Sequence, residues 1–456
     1  MADVKPGECH QCYMDRIPNE VLSRIIVLHV QSELLQLPSY KRDLKYQSHT
    51  YTTLRLACKR WDETILSTPR LWSWLRMHFD DPLGNRESLI IPPEALHNWV
   101  TRSGGSSLSI HFDISFIQPS YPDHEDLYIY ITKVLDILWS SIDRWNNVAF
   151  LLQSQEDIAL FAHRSFQGAV RLKDLQFRGL IKHRGPDSPN LSPQIESLFQ
   201  QLSSIQLASL NLDAANSVIC RSLIQCIPVS RLTRLKLVLG AGILLSEGLQ
   251  ICRNCTSLTW LDLESCLASG QQTSATKPIM FPELRILQLS STCPDTDPNL
   301  SLPIIHSPKL EVLSMISDVD DPESTGHLLS EVSCFLSESQ CSLKLLRVGL
   351  CLAENILYLT QNTSLFRIPN VQFQIPYQER QQTEALQIIS QACDASGRTL
   401  GGIIDPGVTD GSYLGWATTN QSMSRLMEEL HYKDLYSYLH DYLREPFDPY
   451  LPKMML

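Results

Sequence analysis

One short phrase of apolar and polar positions recurs along the middle of the chain: apolar, two free positions, apolar, one free position, apolar. It reads Leu172-x-x-Leu175-x-Phe177, Leu207-x-x-Leu210-x-Leu212, Leu232-x-x-Leu235-x-Leu237 and Leu258-x-x-Leu261-x-Leu263. It continues as Leu284-x-x-Leu287-x-Leu289, Leu310-x-x-Leu313-x-Met315 and Leu343-x-x-Leu346-x-Val348. Weaker copies flank the run, Trp145-x-x-Val148-x-Phe150 and Ile368-x-x-Val371-x-Phe373. The starts at Leu232, Leu258, Leu284 and Leu310 are each 26 residues apart. Alternation inside each phrase predicts a short strand with one buried face. The residues between phrases return the chain to the next strand through a helix or an irregular turn. A single unit cannot bury its apolar face alone, whereas a stack buries a continuous core.

The N-terminal part has a different rhythm. Ile17-Pro18-Asn19-Glu20 leads into Val21, Leu22, Ile25, Ile26 and Leu28 at helical spacing. Pro18 suits a first helical turn, and Glu20 suits the positive end of the helix dipole. Further on, Leu54, Cys58, Trp61 and Ile65 would share one face of a helix that Pro69 limits. Residues 395–413 are glycine-rich and read as loop. Residues 420–444 carry Leu426, Leu430 and Leu439 at spacing suited to a terminal helix that caps the stack.

The period and phrase are those of a leucine-rich repeat. Cys266 and Cys351 each fall eight residues after a phrase start, where that repeat carries Asn or Cys. The segment 249–258, with Cys252 and Cys255, is similar to the cysteine-containing subtype. These thiols therefore read as small buried core groups. Elsewhere the same position holds Leu180, Ala215, Gly240, Thr292 and Asp318, so the array is degenerate.

Residues 15–74 resemble an F-box of the kind found ahead of leucine-rich repeats in fungal proteins. The resemblance rests on Ile17-Pro18-x-Glu20-Val21-Leu22-x-x-Ile25, on Leu56-x-Cys58-Lys59-Arg60-Trp61, and on Ser67-Thr68-Pro69-Arg70-Leu71-Trp72. It departs from the pattern in Ile17, where leucine is commoner, and in residues 31–53, which form a long polar insertion. The resemblance implies a three-helix module that docks on a Skp-family adaptor and so joins a cullin-based SCF-type ubiquitin ligase. Ile17, Pro18, Val21, Leu22, Ile25, Leu56 and Trp61 are the residues it assigns to that contact, with Trp61 leaning toward the module's own core. The expected architecture is an α/β leucine-rich-repeat solenoid, its parallel strands on the concave face, preceded by a small α-helical module. Its parts would be a flexible 1–14, the module at 15–74, a linker and first part of the array at 75–144, repeats at 145–395, and a loop and helical cap at 396–456.

In a stack the free positions of each phrase form ladders on the open face. One ladder runs Asp174, Ser209, Arg234, Trp260, Ile286, Val312, Leu345, and turns apolar from Trp260 onward. The next, Gln176, Asn211, Lys236, Asp262, Gln288, Ser314, Arg347, is polar throughout, as a solvated face should be. Trp260, Ile286, Val312 and Leu345 would then form an exposed strip rimmed by Arg234, Lys236, Asp262 and Glu264. Such a patch is a candidate contact for a protein substrate.

Composition narrows the alternatives. The chain has 456 residues and a net charge of −11, which argues against nucleic acid or an anionic membrane as the main partner. No uninterrupted apolar run reaches the roughly 18 residues of a transmembrane helix, and the N-terminus lacks a signal-peptide layout. The expected setting is cytoplasmic or nuclear, with the 13 cysteines as thiols. Cys9-His10-Gln11-Cys12 offers metal ligands without a second pair to complete a zinc site. No phosphate loop or nucleophile elbow occurs, and the Asp318–Asp321 cluster lacks the glycine and glutamate of a calcium loop. We expect no enzyme and no cofactor. The two functions in view are substrate recognition for a ubiquitin ligase and a repeat scaffold that works without one.

Overall fold

The computed structural model describes residues 17–36, 44–78, 91–114, 124–152, 155–180, 193–214, 217–239, 245–265, 278–291, 305–317, 332–339, 341–349, 360–361, 365, 368–375, 379–396, 400–404 and 415–419. Every copy of the phrase is a strand. The strands are β1 (Trp74–His78), β2 (Leu108–Asp113), β3 (Trp145–Leu151), β4 (Asp174–Leu180), β5 (Ser209–Ala214), β6 (Arg234–Leu239) and β7 (Trp260–Ser265). After the two-residue β8 (Ile279–Met280) come β9 (Ile286–Ser291), β10 (Ile305–His306), β11 (Val312–Ser317), β12 (Leu345–Gly349) and β13 (Asn370–Ile375). β14 (Leu400–Ile404) and β15 (Gly415–Thr419) complete the set. Thirteen strands form one sheet in the order β1-β2-β3-β4-β5-β6-β7-β9-β11-β12-β13-β15-β14, while β8 and β10 pair separately. Pairing is parallel from β1 to β13 and antiparallel at β15 and β14. The fold is thus α/β, with a long parallel sheet of solenoid-like topology.

The register stacks like positions. Phe112, Phe150, Phe177, Leu212, Leu237, Leu263, Leu289, Met315 and Val348 stand opposite one another on successive strands. All are buried. Helices α4 (Pro93–Arg102), α5 (His124–Trp139), α6 (Gln155–Ala162), α7 (Pro193–Leu202), α8 (Ser217–Cys226) and α9 (Leu245–Cys252) return the chain between strands. Their apolar faces, such as Ile195, Leu198, Phe199 and Leu202 of α7, join the same core. Cys220, Cys252 and Cys255 are buried free thiols within it, and burial pushes the Cys220 and Cys255 thiols up to about 12. Among the described residues no cluster of His, Cys, Asp or Glu could hold a metal ion, and no helix is long and apolar enough to cross a membrane.

The sheet begins at Trp74, the last residue of the stretch read as the helical module. It runs on through residues 75–144, read as linker and first part of the array, where Leu75, Met77, Leu108, Ile110 and Phe112 alternate as buried strand residues. The glycine-rich 395–413 contains β14 rather than loop alone: Leu400–Ile404 gains backbone partners on β15. The terminal helix expected at 420–444 lies outside the described residues, as do Cys9–Cys12, Cys266, Cys351 and the Asp318–Asp321 cluster.

The N-terminal helices are α1 (Asn19–Gln36), α2 (Leu44–Arg55) and α3 (Lys59–Leu66). The single helix expected through Leu54, Cys58, Trp61 and Ile65 is broken. Cys58 is extended at the α3 N-cap (φ −167°, ψ 163°) and its side chain is exposed. The break lets α3 fold back on α1. Arg60 reaches the Ile17 carbonyl and the Asn19 side chain, and Thr68 Oγ1 bonds Ser23 Oγ at 3.0 Å. As expected, α3 stops before Pro69, which opens a short 3₁₀ turn, Pro69–Trp72. Trp72 then joins the helices to the sheet. Its ring lies 5.2 Å from Tyr51 of α2 and 4.9 Å from Trp99 of α4, and its indole N–H donates to the Ile65 carbonyl at 2.9 Å. Arg102 stacks over the same ring at 4.9 Å.

Candidate functional site

Two surfaces stand out. The first is on α1, which is apolar on two faces. Leu22, Ile26 and Val30 point into the core, whereas Val21, Ile25 and Leu28 remain 46, 43 and 57% exposed. The second trio, at i, i+4 and i+7, forms one outward row. Pro18 is exposed at the row's beginning, and Leu56, in the turn before α3, is 81% exposed. Leu22 is 1% exposed, so it belongs to the core and not to a docking face, a correction to the expected set. One residue's rotation on the helix separates it from Val21. Ile17 and Trp61 are partly buried and pack against the core.

The second surface is the sheet face formed by the free positions of each phrase. The expected ladders exist in register: Trp260, Ile286, Val312 and Leu345 are direct neighbours on β7, β9, β11 and β12. They are not exposed. Their solvent exposure is 8, 4, 5 and 2%. The expected exposed strip is therefore a buried one. The polar ladder beside it is buried too, at Asp262, Gln288, Ser314, Arg347 and Gln372. Alternation assigns a residue to one side of the sheet, but whether that side meets water is settled by the rest of the chain. Removing an apolar row from water is favourable at about 25 cal/mol per Å².

The open part of this face lies at the other end. A cavity of about 400 Å³ runs over β1 to β7, between Trp74 and Trp260, with Ser109, Asn147, Asp174, Ser209 and Arg234 in the ladder between them. Its second ladder is His111, Ala149, Gln176, Asn211 and Lys236. These residues are half-buried apart from Lys236 and Trp260, which are buried. Trp74, Ser109, His111, Asn147 and Ala149 were not among the candidates read from sequence. The weak phrase at 145–150 and the alternation in 108–112 were the signals that would have placed them.

The charges here are paired. Arg234 bonds Asp174 at 2.7 Å across Ser209, and with its amide assigned so that the nitrogen faces the carboxylate, Asn147 donates to the other Asp174 oxygen at 2.6 Å. Lys236 sits 3.4 Å from Asp262 and 3.5 Å from Glu264. Arg234 and Glu264 are half-buried, while Lys236 and Asp262 are buried, so of the expected rim only the first two meet solvent appreciably. Asp262 is 1% exposed, and neither of its oxygens accepts a hydrogen bond. Burial pushes its carboxyl from 3.8 up to about 6; Lys236 pulls it down and Glu264 raises it further. Burial wins because Lys236 lies beyond close hydrogen-bond distance and is shared with Glu264.

Of the described residues that line this trough, Arg234 and Lys236 are each matched by a neighbouring carboxylate. The trough can offer hydrogen bonds, stacking on indole and paired charges, which are the means of recognition. No protein-family model matches the chain, and no curated protein matches it.

Proposed function

We propose that the chain is the substrate-recognition subunit of a cullin-based SCF-type ubiquitin ligase, without catalytic chemistry of its own. In this reading the helices at 17–72 are an F-box that docks on a Skp-family adaptor, and the leucine-rich-repeat array presents a protein target. The observation that carries it is the exposed row Val21, Ile25 and Leu28 on a helix whose other face is already buried. A monomer has no use for such a row, and packing it on a partner stabilises the complex. Pro18 and Leu56 extend the same apolar surface.

The experiment is co-purification. Wild-type chain should recover a Skp-family adaptor and a cullin. Val21→Asp with Ile25→Asp should lose both while unfolding at an unchanged temperature, since both positions are exposed. Failure of the wild-type chain to recover the adaptor would favour the ligase-independent scaffold instead.

A further inference from the structure

The trough between Trp74 and Trp260 crosses β1 through β7, six strand-to-strand steps. At about 4.8 Å a step that is about 29 Å, the length of about eight residues of extended chain. The floor sets serines, three amide side chains and the Arg234–Asp174 pair among apolar strand residues, with an indole at either end, more hydrogen-bonding groups than the few that usually orient a small molecule. Arg234 and Lys236, the Arg and Lys residues that line it, are each matched by a carboxylate, which weakens its field for a polyanion.

The middle of the floor is more specific. With the Gln176 amide assigned so that its oxygen faces the neighbouring donors, the orientation that satisfies both of its ends, Asn211 Nδ2 donates to Gln176 Oε1 at 2.9 Å and Arg178 Nη2 donates to the same oxygen at 2.8 Å. Held this way, the pair has the Asn211 oxygen left as acceptor and the Gln176 nitrogen left as donor. They stand opposite each other on adjacent strands. An acceptor beside a donor is the complement of a peptide unit's N–H and C=O. Small side chains at Ser109, Ala149 and Ser209 leave space for a chain to approach, and Trp74 offers an indole face at one end.

We propose that this trough holds an extended segment of a partner protein, about eight residues long, gripped through its main chain by Gln176 and Asn211. The proposal rests on the reading of the array as target-binding and specifies the form in which the target is held: unfolded locally, not as a folded domain surface. Recognition by main chain tolerates many sequences, and the side chain laid on Trp74 supplies selectivity.

The test uses purified full-length chain and an array of degenerate nine-residue peptides with blocked ends. The strongest binders are measured again in solution by fluorescence anisotropy. Binding should fall about tenfold in Gln176→Glu, which keeps the oxygen that Arg178 and Asn211 use but removes the donor. Methylating one central peptide nitrogen should cost a similar factor in the wild type and nothing further in Asn211→Ala. Trimming to four residues should abolish binding, and Lys309→Ala, an exposed position in the turn before β11 and outside the trough, should leave it unchanged. Absence of binders, binders indifferent to both Gln176→Glu and Asn211→Ala, or binders indifferent to methylation along their whole length would overturn the proposal. Should Gln176→Glu not fold, Asn211→Ala with the methylated peptides decides alone. Peptide binding without adaptor recovery removes the ligase reading and keeps this one; adaptor recovery without peptide binding does the reverse.

Discussion

Asp262 is the sharpest point at which the energetics can be checked. Its carboxyl titrates at about 6 in the folded chain against an ordinary 3.8. A raised carboxyl binds its proton more tightly when folded, so folding loses stability as pH rises from about 4 to about 6 and is level above that. The gap of about two pH units, at 1.36 kcal/mol each, amounts to about 3 kcal/mol at neutral pH. Asp262→Asn imitates the protonated side chain and leaves Lys236 paired to Glu264 at 3.5 Å. The variant should match the wild type near pH 4 and exceed it by about 3 kcal/mol at pH 7 and above. Urea unfolding followed by tryptophan fluorescence, run on both proteins across that range, reads the difference. Taking the difference at each pH cancels the other carboxylates. A variant less stable than the wild type at every pH would refute the reasoning, because the Lys236–Asp262 attraction would then outweigh the cost of burial.

Two further expectations follow from packing. Val312→Asp places an unpaired charge in a row only 5% exposed, so it should destabilise the protein by several kcal/mol in the same assay; a variant as stable as the wild type would mean that the row meets water. Trp72→Ala removes the ring shared by Tyr51, Trp99 and Arg102 and should cost about 3–5 kcal/mol, with protease cleavage within α1–α3 rising in step; a loss below about 1 kcal/mol would show that the helices and the sheet are not joined there.

If the proposed functions hold, the join at Trp72 has a consequence for them. The helices that would meet the adaptor and the strands that would hold the target share one continuous core, from Leu22 to Cys393. Motion between the two surfaces would require breaking packed aromatic contacts, so a bound target would be held at a set distance and angle from the adaptor.

The linear pattern determined a great deal by itself. Strict alternation at Leu235 and Leu237, repeated 26 residues on at Leu261 and Leu263, is enough to name the strands, their parallel order and the residues opposite each other. It works because side-chain direction in a strand is local and the period is fixed by chain geometry. It also named Val21 and Ile25 as candidates on α1, though it could not separate them from Leu22, since a helix apolar on two faces has no single stripe to read. The break at Cys58 was illegible for a related reason: helical spacing continues through residues 54–65 even where the backbone turns.

Solvent was the quantity that only the tertiary structure decided. Trp260, Ile286, Val312 and Leu345 form the row that alternation requires, yet the folded chain leaves them dry and opens the polar end over Asn147, Gln176 and Asn211 instead. Exposure depends on what the whole chain brings over a face, which no local period encodes. The shifted carboxyl of Asp262 belongs to the same class, being a product of burial and of the spacing of three charged groups on neighbouring strands.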